Sequence, residues 1–532
     1  MARVTTTVRE VTRTLLRQYG LTTVFGNPGT TEIGFLRDWP ADFRYVLGLQ
    51  ESVAVAMADG FAQAGARAVL VNLHSAGGVG HALGQVFTAY RHHTPMVVLA
   101  GQQVRSLLQP GEAFLAADDA AVFPRPYVKW SCEPARAADV PAAIARAYHI
   151  ATQAPCGPTF VSVPADDWDA EAEPLDVRPP VTGYAPDPVA IGELAAALDA
   201  AARPVLVVGP GVDGAGAVPD MVALAERCGA GVWASPMSNR SSFPEDHPLF
   251  QGFLQPEERA TVKVLAGYDL VIVLGAPVFT FHVFRGVESD LALPPLYLVS
   301  DDEQVLARAK TGVGIRAPVR AAIKDLTAVV RPARRPAPAP MARPTKPADR
   351  TPLPVAAVFA ELAEQLPADA ILVEEVPSHL NVRRAYLPVR ARGTGLLSTA
   401  SGTLGYALPA AIGAAMARPD RRVVAVLGDG SSMYSIQALW TAAREQVPVT
   451  FVVLDNAQYA AVRILAESEG GAKVPGVELG GIDFVALAGG MGCVTHRIEQ
   501  PHELRAALAK ALVDDRPTLL HVIVDPDPHP LY

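Results

Sequence analysis

At 532 residues the chain is too long for one hydrophobic core, and a prior of roughly 150 residues per domain gives three units. Half of the residues are hydrophobic and 19% are charged, so there is ample apolar surface to bury and the whole chain is expected to fold. A net charge of −9 with no block of like charges excludes an electrostatic grip on nucleic acid or on a membrane surface.

The opening segment, residues 1–20, mixes Arg, Thr and Leu at helical spacing and lacks the apolar stretch of a secretory signal. No later run approaches the about eighteen apolar residues of a membrane span, and the protein reads as cytoplasmic. Cys132, Cys156, Cys228 and Cys493 are far apart and form no CxxC pair, so neither a disulfide framework nor a zinc site is expected. Short apolar runs alternate with amphipathic stretches throughout. That pattern predicts an α/β chain of three doubly wound parallel-sheet domains, at 1–180, 181–340 and 341–532. The divisions are a proline- and acid-rich stretch at 173–188 and the Pro-, Ala- and Arg-rich segment 332–352, which reads as an extended linker.

In the first unit, three predicted strands end in residues that carry chemistry. Thr23-Val24 leads into the turn Phe25-Gly26-Asn27-Pro28-Gly29-Thr30. The strand at 45–49 ends at Gln50-Glu51, and Val53, Ala56, Met57 and Gly60 then share one helical face. The strand at 68–73 runs into His74-Ser75-Ala76-Gly77-Gly78 before another amphipathic helix. Ligands of open α/β sheets bind outside the carboxyl ends of the strands, which brings Thr30, Glu51 and His74 to one rim. Each also has a structural reading: Thr30 as a helix cap, Glu51 as a first-turn acid, His74 as a hydrogen-bonded strand-end histidine.

The middle unit holds a strand followed by Gly209-Pro210-Gly211-Val212-Asp213-Gly214, a match to the dinucleotide-binding GxGxxG. Pro210 and Val212 intrude at the turn, and Glu226 comes early for the ribose-binding acid. A glycine turn in a doubly wound sheet accounts for the match without a nucleotide.

In the last unit an apolar strand at 423–427 ends in Gly428-Asp429-Gly430-Ser431. A helix is predicted next, with Ile436, Leu439, Trp440 and Ala443 on one face. Glycines flanking one carboxylate at a strand end, ahead of a helix N-terminus, suit a phosphate and its cation. A second strand, 449–454, ends in Asp455-Asn456-Ala457-Gln458-Tyr459, beside the first in a parallel sheet. Asp429, the Asn456 amide oxygen and a carbonyl near Gln458 are then placed to share one hard cation such as Mg²⁺.

This stretch resembles the thiamine diphosphate signature, GDG followed by an asparagine somewhat under thirty residues later; Asp455 departs from the usual pattern at the non-ligating position. VFGNPGTTEIGFLRDWPADFRYVLGLQES, ADGFAQA, NLHSAGG, PRPYVKWS, GAPVFTFH and GTLGYALPAAIG are similar to the benzoylformate decarboxylase family, essentially along the whole chain. The resemblance implies thiamine diphosphate with Mg²⁺ or Ca²⁺, bound between the first domain of one subunit and the last of another. It therefore implies a homo-oligomer, a dimer of dimers. Glu51 matches the acid on the pyrimidine ring nitrogen, the Gly402 carbonyl the acceptor for its amino group, and Leu404 the apolar support of the bent cofactor. Asn27, Pro28 and Tyr459 match further cofactor contacts, and Gly430 and Ser431 contacts to the diphosphate. Asp429, Asn456 and the Gln458 carbonyl match the metal ligands. His74 and His282 match the histidines that handle protons, and Thr30 a serine that binds the substrate carboxylate. Phe114 and Leu115 keep the apolar character of the substrate pocket. Ser398, Thr399, Val462 and Leu465 replace bulkier residues, which implies a more polar or differently shaped pocket. The implied activity is non-oxidative decarboxylation of an aryl or related 2-oxoacid, a small-molecule substrate, to the aldehyde. A carboligase resembling acetolactate synthase or benzaldehyde lyase is the alternative, and the presence of Glu51 disfavours a non-catalytic binding protein.

Overall fold

The computed structural model of the chain describes residues 6–108, 113–177, 183–283, 292–471, 473–526 and 531. Of the predicted division at 173–188, residues 178–182 lie outside the described residues. Three six-stranded sheets, all parallel, carry the fold, as the alternation of apolar runs and helices predicts. Strands such as Val69–Leu73 and Leu270–Leu274 are buried at every residue, because helices cover both faces of a parallel sheet.

The first sheet runs Arg44–Leu47, Thr23–Gly26, Val69–Leu73, Met96–Gln102, Thr159–Pro164, Trp130–Cys132. The last sheet runs Leu396–Ser398, Ile371–Glu375, Val423–Gly428, Val449–Asp455, Thr518–Ile523, Val494–Ile498. Numbered along the chain, both have the spatial order 2-1-3-4-6-5. The middle sheet follows the other doubly wound order, 3-2-1-4-5-6, from Phe250–Phe253 through Pro204–Val208 and Leu270–Leu274 to Val313–Arg316.

The first and last sheets share one apolar core, joined where helix Glu51–Gly65 packs on helix Ala407–Ala417. Both helices are rich in Ala, which favours the helical state and keeps side chains short enough for backbones to approach. Asp213 fastens the middle domain to the last, pairing with Arg240 at 2.6 Å and accepting the Thr394 N–H at 2.7 Å. Arg383, fully buried, bridges Glu245 of the middle domain and Glu374 of the last. The 332–352 segment contains no helix or strand. Arg343 anchors it through the carbonyls of Glu245, Arg384 and Ala385, and Lys346 through Glu361 and Glu364.

The GxGxxG match is a packing turn. The Gly209 N–H bonds the Leu274 carbonyl at 3.0 Å and the Gly211 N–H the Gly275 carbonyl at 2.9 Å. The amides that a pyrophosphate needs are thus committed at the point where the strand order reverses. Glu226 lies against His247, at 3.2 Å.

The helix expected after Gly430 is broken in two, Asp429–Met433 and Ala438–Arg444, with Ile436 in the turn between them. Glycine and serine are weak helix formers, and here the Ser432 hydroxyl bonds back to the Gly428 carbonyl at 2.8 Å.

Candidate active site

Gly428 lies opposite Leu454 in the parallel ladder, so the turns beginning at Asp429 and Asp455 stand side by side, as expected from the sequence. Asp429 is 4% exposed; its Oδ1 accepts the Gly430 N–H at 2.7 Å, while its buried Oδ2 has no donor. Burial pushes the Asp429 carboxyl up to about 7; the neighbouring Asp455 carboxylate adds to the rise, and the Gly430 amide opposes it. Asp455 is shifted the other way. Burial would raise it, but His521 at 2.7 Å and the Ala457 N–H at 2.9 Å hold it below the ordinary carboxylate range. Both Asp455 oxygens are thus engaged, one by the turn and one by strand Thr518–Ile523.

Asn456 and Gln458 are buried on this turn. The Tyr459 N–H bonds the Val477 carbonyl and the Leu479 N–H the Ala457 carbonyl, both at 2.8 Å, clamping the turn from outside. The Tyr459 ring lies against Gly430, where a Cβ would overlap it. Ser431, next in line, is buried.

A buried carboxylate oxygen without a donor, beside a second carboxylate, calls for a cation, and the N-terminal end of the helical turn Asp429–Met433 favours an anion. Among the described residues no three His, Cys, Asp or Glu side chains gather as a metal site. A cation held here would have Asp429 as its carboxylate ligand, which suits an ion such as Mg²⁺ that takes few ligands from protein. The residues fit a diphosphate with its divalent ion.

Sequence reasoning missed Glu375, at the carboxyl end of the strand next to Val423–Gly428. Fully buried, it accepts the N–H groups of Gly405, Tyr406 and Ala407 at 2.7, 2.8 and 2.8 Å. Burial pushes it up to about 7 against those three amides. It holds the start of helix Ala407–Ala417 and thereby the segment carrying Gly402 and Leu404. Gly402 is exposed, and the Leu404 carbonyl accepts the Gln85 amide at 3.1 Å. Upstream, the Thr399 hydroxyl lies 3.1 Å from the Ser401 hydroxyl, Ser401 2.8 Å from Thr88, and the Ala400 N–H bonds His92 Nε2 at 3.0 Å. The Ser398 N–H bonds the Asn239 carbonyl at 3.0 Å.

On the first sheet, Thr30, Glu51 and His74 follow three adjacent strands and share one rim. Glu51 opens its helix behind the Gln50 cap. It is 7% exposed, with Asn27 Nδ2 and the exposed His81 Nδ1 each 3.2 Å from its carboxylate. Pro28 and Thr30 are exposed. Thr30 does not cap a helix; Gly29 occupies the cap position of the short 3₁₀ turn Thr30–Glu32. The His74 ring is engaged at Nδ1 by Glu32, at 2.9 Å, and by Thr31, at 3.0 Å.

His282 stands apart on the loop beyond strand Leu270–Leu274, exposed, its N–H on the Pro256 carbonyl at 2.8 Å. Phe114 is 85% exposed; its carbonyl is held by Gln103 at 2.7 Å, and that of Leu115 by the Ser75 hydroxyl at 2.6 Å. Val462, exposed, and Leu465, half-buried, lie on helix Ala460–Ser468. Among the described residues no hydrogen bond joins Glu51 or His74 to the Asp429 turn.

Three parallel-sheet domains, with a GDG turn on one rim and a buried acid on another, define a thiamine pyrophosphate enzyme. Models of that family's N-terminal, central and C-terminal domains match residues 6–121, 191–326 and 378–522. The chain is 41% identical to benzoylformate decarboxylase of Pseudomonas aeruginosa over 521 residues, 97% of this chain and 98% of that protein. Among solved structures it is similar to the 4-hydroxybenzoylformate decarboxylase of Rhodococcus jostii RHA1, with a TM-score of 0.94 and 41% identity over 98% of this chain and 100% of that one. Benzoylformate decarboxylase of Polynucleobacter necessarius superposes with a TM-score of 0.95 at 38% identity, over 98% and 99% of the two chains. The chain belongs to the benzoylformate decarboxylase family. It is a thiamine-diphosphate-dependent 2-oxoacid decarboxylase, a carbon–carbon lyase.

Proposed function

We propose that the chain decarboxylates an aryl 2-oxoacid of the benzoylformate type to the aldehyde and CO₂, acting in the cytoplasm as a homo-oligomer, a dimer of dimers. The three named relatives are decarboxylases, so the carboligase alternative is not favoured. The observation that carries the reading is the buried Asp429 oxygen without a donor, in a GDG turn remote in bonding from the buried Glu51. Leu49, Phe114, Tyr434 and Val462 are exposed apolar side chains in the first and last domains, surface that a second subunit would cover when completing each site. No helix among the described residues is long and apolar enough to cross a membrane.

In this reading Asp429, Asn456 and the Gln458 carbonyl hold Mg²⁺ or Ca²⁺, while Gly430 and Ser431 bind the diphosphate. Asn27, Pro28, Gly402, Leu404 and Tyr459 shape the rest of the cofactor cleft, with Leu404 as its apolar support. When bound, thiamine diphosphate supplies a nucleophilic carbon and an electron sink for the departing carboxylate. Glu51 holds a proton at the pyrimidine ring nitrogen, and its burial keeps water from competing for it. The Thr30 hydroxyl binds the substrate carboxylate. His74 and His282 move protons at the carbonyl oxygen and at the carbon that loses CO₂, a task suited to imidazoles, which can both give and take a proton. Phe114, Leu115, Val462 and Leu465 wall the substrate pocket, with Ser398 and Thr399 at its polar side.

Purified holoenzyme given aryl and aliphatic 2-oxoacids tests the proposal. One aldehyde per CO₂, with aryl substrates fastest, supports it. Acyloin in place of free aldehyde turns the reading to a carboligase, and inertness toward every aryl 2-oxoacid removes it. His74→Ala and His282→Ala each lower turnover; unchanged rates in both would mean that the pocket has been placed wrongly.

A further inference from the structure

The rim that carries His74 contains a buried carboxylate with no part in the scheme above. Glu32 is 1% exposed and collects four donors. Its Oε2 accepts the Gly29 N–H at 2.7 Å and lies 2.9 Å from His74 Nδ1. Its Oε1 accepts the Gly101 N–H at 3.0 Å and the Thr31 hydroxyl at 2.6 Å. Because the Thr31 hydroxyl proton points to Glu32, its oxygen is free to accept from His74 Nδ1, 3.0 Å away. Every group within reach of Nδ1 is thus an acceptor, so that nitrogen must carry the proton. The surroundings are built around this arrangement: a Cβ at Gly29 would overlap the His74 ring, and one at Gly101 would overlap the Glu32 and Thr31 side chains.

We propose that Glu32 is a positioning residue for decarboxylation: with Thr31 it locks His74 as the Nδ1–H tautomer, leaving Nε2 as the nitrogen that exchanges a proton with the reacting groups. When Nε2 takes up a proton, the ring becomes an imidazolium facing a buried carboxylate, which stabilises the charge; when Nε2 gives the proton up, the ring returns to the same tautomer. Nothing is consumed. The logic parallels that of the carboxylate behind a catalytic histidine in serine proteases, where the wrong tautomer costs several orders of magnitude in turnover. The inference rests on His74 handling protons, as proposed above.

The test uses holoenzyme labelled with ¹⁵N-histidine, with the His74→Gln spectrum identifying the His74 signals. The expected spectrum shows Nδ1 protonated and Nε2 bare in the neutral ring, and Glu32→Gln populates the Nε2–H form. An Nε2–H signal for His74 in the unsubstituted enzyme overturns the proposal, and this measurement requires no variant of Glu32 to fold. In kinetics, Glu32→Gln lowers kcat by about tenfold or more while KM moves less than about threefold, and Glu32→Asp recovers part of the loss. A Glu32→Gln enzyme with the parent kcat also overturns it. If His74→Ala leaves turnover unchanged, the reading of His74 fails, and the tautomer measurement still decides on Glu32.

Discussion

Gly413 of helix Ala407–Ala417 sits directly against the Met57 carbonyl of helix Glu51–Gly65, and a methyl group at Gly413 would overlap that oxygen. Gly60 meets the Ala410 carbonyl in the same way from the other side. The crossing joins the domain that carries Glu51 to the one that carries Asp429. Gly413→Ala and Gly60→Ala are each expected to force the helices apart and destabilise the protein by about 1–3 kcal/mol, despite the better helix propensity of alanine. Thermal inactivation of the two variants beside the parent checks this, and an unchanged midpoint in both would show that the contact has slack.

Glu51→Gln keeps the size of the side chain and an acceptor for Asn27 and His81 but removes the acid. Circular dichroism and much of the cofactor affinity should persist, while turnover falls by about 10²-fold or more. Rates near those of the parent would take Glu51 out of the chemistry.

The Asp429 turn should trade stability for binding. With no cation, an unpaired buried carboxylate beside Asp455 is unfavourable, so Asp429→Asn is expected to stabilise the chelator-treated protein by of order 1 kcal/mol. The same change should abolish the stabilisation that Mg²⁺ and thiamine diphosphate together confer on the parent. Melting curves in chelator and in both ligands separate the two effects; a variant less stable than the parent in chelator contradicts the first.

The 332–352 segment should loosen in acid. Burial would raise Glu361, but Arg505, Lys346 and Gln365 hold it down to about 2, against an ordinary value of 4.5. A carboxylate lowered in the fold lends stability that is present above the unfolded value and lost as pH falls through the folded one. The stability gap between parent and Glu361→Gln should therefore be constant from neutrality to about pH 4.5 and shrink toward about pH 2. Urea midpoints of the two proteins along a pH series give the measurement, and a gap that widens on acidification has the wrong sign.

The sheets were legible because a strand buried on both faces reads as an unbroken apolar run, and 423–427 and 270–274 are such runs. The GDG turn and its partner at Asp455 were legible because parallel neighbours end at the same level. The break at Tyr434–Gln437 was not, since the apolar spacing of Ile436, Leu439 and Trp440 is helical and the bond from Ser432 back to Gly428 is a matter of conformation. Glu375 and Glu32 escaped for another reason: backbone amides, which every residue has and only topology gathers, make up three of the partners of Glu375 and half of those of Glu32. Two signals were still there to be read. Glu375 ends an apolar strand one place from the GDG strand, as Glu51 follows its own, and Glu32 stands three residues after Gly29 in the spacing of a capping box.

The middle domain's glycine turn acquires its meaning from what grows out of it. Gly209 holds the Leu274 carbonyl and Gly211 that of Gly275, and the Pro256 carbonyl accepts the N–H groups of His282 and Val283, so the stretch bearing that imidazole is rooted at both of its ends. A cleft that in other proteins admits a nucleotide is here plugged by the chain itself and serves as a foundation. Enlarging Gly211 would accordingly be felt along the loop that ends at His282.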